Sequence, residues 1–278
     1  MPMFENDGRP LYYEVHGDGE PLLCVTGLSA DHLAWALQVP AWSQRFKTVV
    51  FDNRDAGQSF RADGPYEVAD MAQDTLALAD ALGLERFHLV GMSLGGTIAQ
   101  EVALRAPDRV RTLTLIVTFV WAGRWGRDFA RLWARAAEQR TDEEHLDWLL
   151  LQVTSQELYE NADAIAFVRN LWLANPHPQP RDAFVRQLEA GVRHDARDRL
   201  DTLAMPVHVI AGERDLLVPA FKSEEIAALV PGAKLSIMPR APHGLNLERA
   251  EEFNALVVDF IAAQTGSVGA PAPASTRS

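Results

Sequence analysis

Residues 88–96 read HLVGMSLGG, an apolar run followed by one serine, Ser93, standing between Gly91 and Gly95. Glycine carries no Cβ, so its use on both flanks of a single residue marks a turn where a side chain would strike a neighbouring strand or helix. An apolar strand feeding Gly-x-Ser-x-Gly and then a helix is the pattern of a nucleophile turn, which holds a serine hydroxyl clear of the backbone. The same five-residue pattern also occurs by chance in loops. Its meaning depends on what the rest of the chain supplies.

A serine hydroxyl is a weak nucleophile and needs a base, which in turn needs an acid to orient it. Of the eight histidines, His88 and His208 sit inside apolar strand-like runs and read as packed core residues. His16 lies at a strand end, His32 in a loop, and His145, His177 and His194 in a helical stretch described below. His243, in APHGLNLE, follows the last strand-like run and falls in a loop at the sheet edge that also carries Ser93. It is the candidate base. Asp215, in IAGERDLLVP, lies just past another strand and is the candidate acid; Glu213, two residues earlier, is its competitor. Asp215 is preferred because it stands further into the loop, where a carboxylate can turn toward the histidine.

The 278 residues are 47% hydrophobic, enough for one large core or one domain with an insertion. A net charge of −12, with only three lysines and no basic run, argues against nucleic acid or an anionic membrane as partner. The single cysteine, Cys24 in PLLCV, cannot form an intramolecular disulfide and reads as a buried strand residue. The opening MPMFENDGRP has no charged-then-apolar leader pattern, and no apolar run approaches membrane-spanning length. The expectation is a soluble cytoplasmic protein, monomer or homodimer, acting on a small molecule.

Strand-like runs at 11–15, 21–27 and 47–54, a helical pattern at 68–83, the strand before Ser93, the helix after it up to Pro107, and a strand at 110–117 alternate through the first part. Near-continuous apolar strands separated by helices imply an α/β fold, a mostly parallel sheet covered on both faces. Residues 121–203 break the rhythm: they hold five of the seven tryptophans in helical patterns, split by the turn-rich NPHPQP at 175–180. Alternation resumes with strands at 206–212 and 233–239 and helices near 219–230 and 246–263. The expected organisation is a core of residues 1–120 and 204–264, a helical insertion at 121–203, and a disordered Pro/Ala/Ser/Gly-rich tail at 265–278.

The stretches VTGLSADHLAW, FDNRDAGQS, GMSLGG, GERDLLVP and APHGLNLE, in that order and spacing, resemble an α/β-hydrolase-fold enzyme from about residue 9 to 264. Within that superfamily the chain is most similar to capped carboxylesterases and 3-oxoadipate enol-lactonase-like hydrolases. The resemblance implies a helical cap inserted after the sixth strand, a catalytic order Ser93, Asp215, His243, and an oxyanion hole made from the backbone N–H groups of Leu28 and Leu94. Thr26 stands where the family usually has histidine, and Asp55 where glycine is usual. Gly57 and Arg54 read as structural, for backbone bending and loop pairing.

The activity implied is hydrolysis of a carboxylic ester or lactone through an acyl-enzyme on Ser93, with no cofactor. No metal-binding motif is present, and GMSLGG fits neither a phosphate loop nor a dinucleotide motif. The family's dehalogenases and epoxide hydrolases use a carboxylate nucleophile, which Ser93 excludes. Enol-lactonase-like and carbon–carbon bond hydrolases remain open, as do hydroxynitrile lyases and perhydrolases, and a non-catalytic binding protein on the same scaffold. Of the insertion's aromatics, Trp121, Trp125, Trp133 and Trp172 are the candidates to face an apolar substrate. Arg124 or Arg127 would serve a substrate carrying a free carboxylate.

Overall fold

A computed structural model describes residues 2–266. Eight strands form one sheet: β1 (Met3–Asn6), β2 (Arg9–His16), β3 (Glu20–Val25), β4 (Phe46–Phe51), β5 (Phe87–Met92), β6 (Val110–Ile116), β7 (Val207–Gly212) and β8 (Lys234–Met238). Their order across the sheet is β1-β2-β4-β3-β5-β6-β7-β8. β1 and β2 run antiparallel to their neighbours, and every other pairing is parallel. The mostly parallel architecture expected from the sequence is present. The short polar strand β1 was not read from the sequence.

The helices are α1 (Val39–Trp42), α2 (Val68–Ala81), α3 (Leu94–Arg105), α4 (Gly123–Gln139), α5 (Asp142–Val153), α6 (Gln156–Tyr159), α7 (Ala162–Leu173), α8 (Arg181–Arg193), α9 (Phe221–Leu229), α10 (Leu245–Glu248) and α11 (Ala250–Thr265). α2, α3 and α9 cover one face of the sheet, while α1 and α11 cover the other. The inner strands β3 to β7 show why their sequences are largely apolar. Along β3, Leu23 and Val25 enter the first core and Leu22 and Cys24 the second, so alternate side chains are buried on opposite faces. The Cys24 thiol is fully buried, and that burial pushes its pKa up, leaving it inert.

The last helical pattern, read as one element, is two helices that meet at Arg249, whose φ of −126° and ψ of 40° leave the helical region. Thr265, expected in the tail, closes α11; the rest of that tail from residue 267 lies outside the described residues. Among the described residues no helix is long and apolar enough to cross a membrane.

Helices α4–α8 all fall between β6 and β7. Their boundaries follow capping chemistry: at the start of α5, Thr141 Oγ1 accepts the Glu144 N–H and the Glu144 carboxylate accepts the Thr141 N–H. Ser155 and Asn161 cap α6 and α7 with their side chains. A bridge between Trp121 and Asp195 ties the two ends of the segment together where it leaves the sheet.

Candidate active site

The turn after β5 is as tight as its glycines suggest. A Cβ on Gly91 would collide with the Gly95 carbonyl oxygen, and one on Gly95 with the Val25 carbonyl oxygen, so strand, turn and helix approach closer than a side chain permits. Ser93 itself has φ 56° and ψ −119°, a conformation that costs an L residue roughly 1–2 kcal/mol. Two hydrogen bonds hold it there: its N–H donates to the Ile116 carbonyl at 2.8 Å, and its carbonyl accepts from Thr118 Oγ1 at 2.6 Å.

β7 delivers Asp215 and the loop after β8 delivers His243, both buried. Asp215 Oδ2 lies 2.7 Å from His243 Nδ1, and Oδ1 accepts the N–H groups of Leu217 and Val218, each at 2.8 Å. An ionised carboxylate only accepts, so Nδ1 carries the proton and Nε2 is left with a lone pair. Glu213 does something else: its carboxylate accepts the Arg240 N–H at 2.7 Å and fixes the turn after β8. Ser93 and His243 border the same cavity, with no hydrogen bond between them among the described residues.

β3 ends beside this turn, and a Cβ built on Gly27 would stand 3.1 Å from Ser93 Cβ. Leu28 follows directly, and neither its N–H nor that of Leu94 donates to another group among the described residues. Two unpaired donors therefore stand next to the serine. The N–H of Leu94 also opens α3, where aligned peptide dipoles favour negative charge. Thr26, in place of the usual histidine, is held by Asn53, whose Nδ2 donates to the Thr26 carbonyl at 3.1 Å.

The cavity has a volume of about 190 Å³ and apolar walls that include Trp35, Trp125, Phe129, Trp133, Trp172 and Leu188. Trp125, Phe129 and Trp133 stand four residues apart on one face of α4, with ring centroids 5.4 and 5.6 Å apart. Trp121 is not in this wall: its ring packs under the Arg197 guanidinium and the Lys222 ammonium. Trp35, which does line the cavity, was not singled out in the sequence because the short turns around it carry no periodic signal. Arg124 and Arg127 lie on the outer side of α4, both exposed, and neither reaches the cavity. Lys222 is the lysine or arginine that does, its ammonium 2.8 Å from the Glu225 carboxylate.

The residues of FDNRDAGQS are structural in this arrangement. Arg54 pairs with Asp74 of α2 at 2.6 Å. Asp55, with φ 67°, is fully buried and takes a bidentate pair of bonds from Arg186 of α8, at 2.8 and 2.9 Å. Asp31, His32 and Asp52 bring ligand-type atoms together, but Asp52 already accepts from the His32 N–H, His32 Nδ1 and the Gln58 N–H. Burial alone would lower the His32 pKa; the hydrogen bond and charge of Asp52 outweigh it and raise it. His32 and Asp52 therefore serve each other as hydrogen-bond partners that fix this loop.

Comparison with known proteins gives concordant findings. The sequence profile of the family described as "alpha/beta hydrolase fold" matches residues 20–250. A protein of Caulobacter sp. (strain K31) named "Putative carbamate hydrolase RutD" is 32% identical over 273 residues, covering 91% of this chain and 96% of its own. The crystal structure of a hydrolase from Pseudomonas aeruginosa PA01 superposes with a TM-score of 0.84 at 31% identity, covering 94% of this chain and 97% of that one. The enol-lactonase from Burkholderia xenovorans LB400 also superposes with a TM-score of 0.84, at 26% identity, over 94% of this chain and all (100%) of its own.

Proposed function

The chain belongs to the α/β-hydrolase fold family, and on that premise we propose that it is a serine hydrolase cleaving carboxylic esters or lactones through an acyl-enzyme on Ser93. The observation that carries this reading is the Asp215–His243 hydrogen bond of 2.7 Å, set on the same apolar cavity as the strained Ser93. His243 Nε2 takes the Ser93 proton as Oγ bonds to the substrate carbonyl carbon. The oxyanion rests on the N–H groups of Leu28 and Leu94. Collapse breaks the bond to the leaving alcohol, which receives the proton from His243. Water then gives a proton to His243 and attacks the acyl-enzyme, and the second collapse releases the acid and restores Ser93.

In this reading residues 121–203 form a cap over a core of residues 1–120 and 204–264. Aromatic walls favour an apolar acyl or alcohol group and exclude water from the developing oxyanion. The name carried by the Caulobacter relative supports a second reading, the same acyl transfer at a carbamate carbonyl. A wall that is mostly aliphatic and aromatic favours the ester or lactone over a small polar carbamate.

A fluorophosphonate should label the wild-type protein at Ser93 and leave Ser93→Ala unlabelled. Absence of labelling in the wild type would leave the non-catalytic binding reading standing. A panel of neutral esters, lactones, a carbamate ester and a carboxylate-bearing lactone then sorts the substrate. The neutral ester or lactone should give the highest kcat/KM. A carbamate at the top would replace this reading with the second, and a carboxylate lactone whose advantage vanishes in Lys222→Met would point to an enol-lactonase-like reaction.

A further inference from the structure

The turn-rich stretch NPHPQP lies between α7 and α8, far in sequence from Ser93. Gln179 is flanked by Pro178 and Pro180, which restrict the backbone on both sides and leave the glutamine on a stiff extended segment. Its side-chain amide bridges two loops of the core. Gln179 Oε1 accepts from Ser29 Oγ at 2.8 Å, and Gln179 Nε2 donates to the Asp55 carbonyl at 2.9 Å. Turned over, the amide would set its oxygen against the Asp55 carbonyl, so the two bonds fix one orientation.

Both bridged residues are non-glycines with positive φ, Ser29 at 61° and Asp55 at 67°. Ser29 is bonded directly to Leu28, so a hold on Ser29 fixes the position of the short loop in which the Leu28 N–H stands. A strained residue holds its conformation only while its surroundings over-determine it. Asp55 is locked by Arg186, which makes its carbonyl a fixed anchor. The same linker reaches the loop a second time, with Asn175 Nδ2 donating to Asp31 Oδ2 at 2.8 Å.

We propose that Gln179 is a positioning residue for the oxyanion hole: it pins Ser29 and thereby aims the Leu28 N–H at the carbonyl oxygen of the transition state. This rests on the acyl-enzyme reading above. It also makes the catalytic geometry depend on the seating of the 174–180 linker, because a linker that lifts withdraws the pin from the loop.

The test is Gln179→Ala assayed on the best ester found for the wild type. Removing an oxyanion donor outright lowers kcat about 10²–10³-fold, so misaiming one should lower kcat by about tenfold to a hundredfold with KM nearly unchanged. A boronic acid that mimics the tetrahedral intermediate should bind more weakly by a similar factor. Ser29→Ala should show the same drop, and the double variant should be no worse than either single one. A raised KM with kcat intact, or drops that multiply in the double variant, would mean that Gln179 merely holds the linker, and the proposal fails. Wild-type labelling at Ser93 separates the two levels: if it is absent, the acyl-enzyme reading falls and takes this one with it. If it is present and Gln179→Ala turns over like the wild type, only the positioning role is lost.

Discussion

Ser93 holds φ 56° because two hydrogen bonds and two side-chain-free neighbours leave it no other course, and the strain keeps its hydroxyl at the cavity wall. The proposed chemistry then makes Ser93 and His243 one unit. Ser93→Ala and His243→Ala should each lower kcat by about three orders of magnitude or more, with the double variant little worse than either. Near-wild-type turnover in Ser93→Ala would end the nucleophile assignment. The two candidate acids are separated by what they touch. Asp215→Asn can no longer hold the imidazole in the Nδ1–H tautomer and should lower kcat by about 10³–10⁴-fold. Glu213→Gln loses only part of its hold on the Arg240 N–H, so it should keep its kcat and lose on the order of 1 kcal/mol of stability. Steady-state kinetics on the four single variants and the double one, with urea midpoints alongside, checks the whole set.

At the scale of elements, α4 and α8 determine what reaches the serine. The stripe Trp125, Phe129, Trp133 recurs every four residues and turns one face of α4 toward the cavity, while Arg124, Arg127 and Asp128 take the other. Each methylene buried against such a wall is worth about 0.8 kcal/mol, so kcat/KM should rise about fourfold per carbon over short acyl chains until the cavity is full. A flat chain-length profile would remove the apolar-pocket idea. α8 is tied down by Arg186, whose partner Asp55 is fully buried. Arg186→Met strands that carboxylate and should cost about 3–5 kcal/mol. Adding Asp55→Gly removes the stranded charge and suits the positive φ, so the double variant should be more stable than Arg186→Met alone. Chemical denaturation of the two variants decides this. The sequence shows Asp55 only as an aspartate in a glycine's place; its reason lies 131 residues away, beyond the reach of any local pattern.

For the whole molecule, legibility followed the range of the interactions involved. The parallel strands β3 to β7 were readable because burial on both faces demands nearly unbroken apolar runs, and Ser93 and Asp215 stood out as candidates because each follows such a run. His243 follows β8, a mostly exposed edge strand whose KLSIM alternates enough to read as a strand. β1 was not, since its four residues alternate exposed and half-buried, and the cavity wall was legible only as a surplus of tryptophans, because which of them face inward depends on how five helices pack. The histidines give a property of the entire fold. His145, His194 and His208 are buried, and burial is the main cause that pulls each pKa down to about 4. His208 packs against the Phe260 ring at 4.9 Å, and its Nδ1 has no hydrogen-bond partner among the described residues. For such a group the unfolded chain, titrating near 6.5, binds more protons than the folded one between about pH 6.5 and 4. Stability therefore rises with pH across that window and is lost as pH falls through it. Each histidine contributes on the order of 1–3 kcal/mol, and His32, whose pKa is raised, offsets part of the total with the opposite sign. The urea midpoint should be level above pH 7 and drop steadily from about pH 6.5 toward 4.5. His208→Phe keeps a ring beside Phe260 and cannot titrate, so it should make that slope measurably shallower. A slope unchanged in His208→Phe would place the acid sensitivity elsewhere.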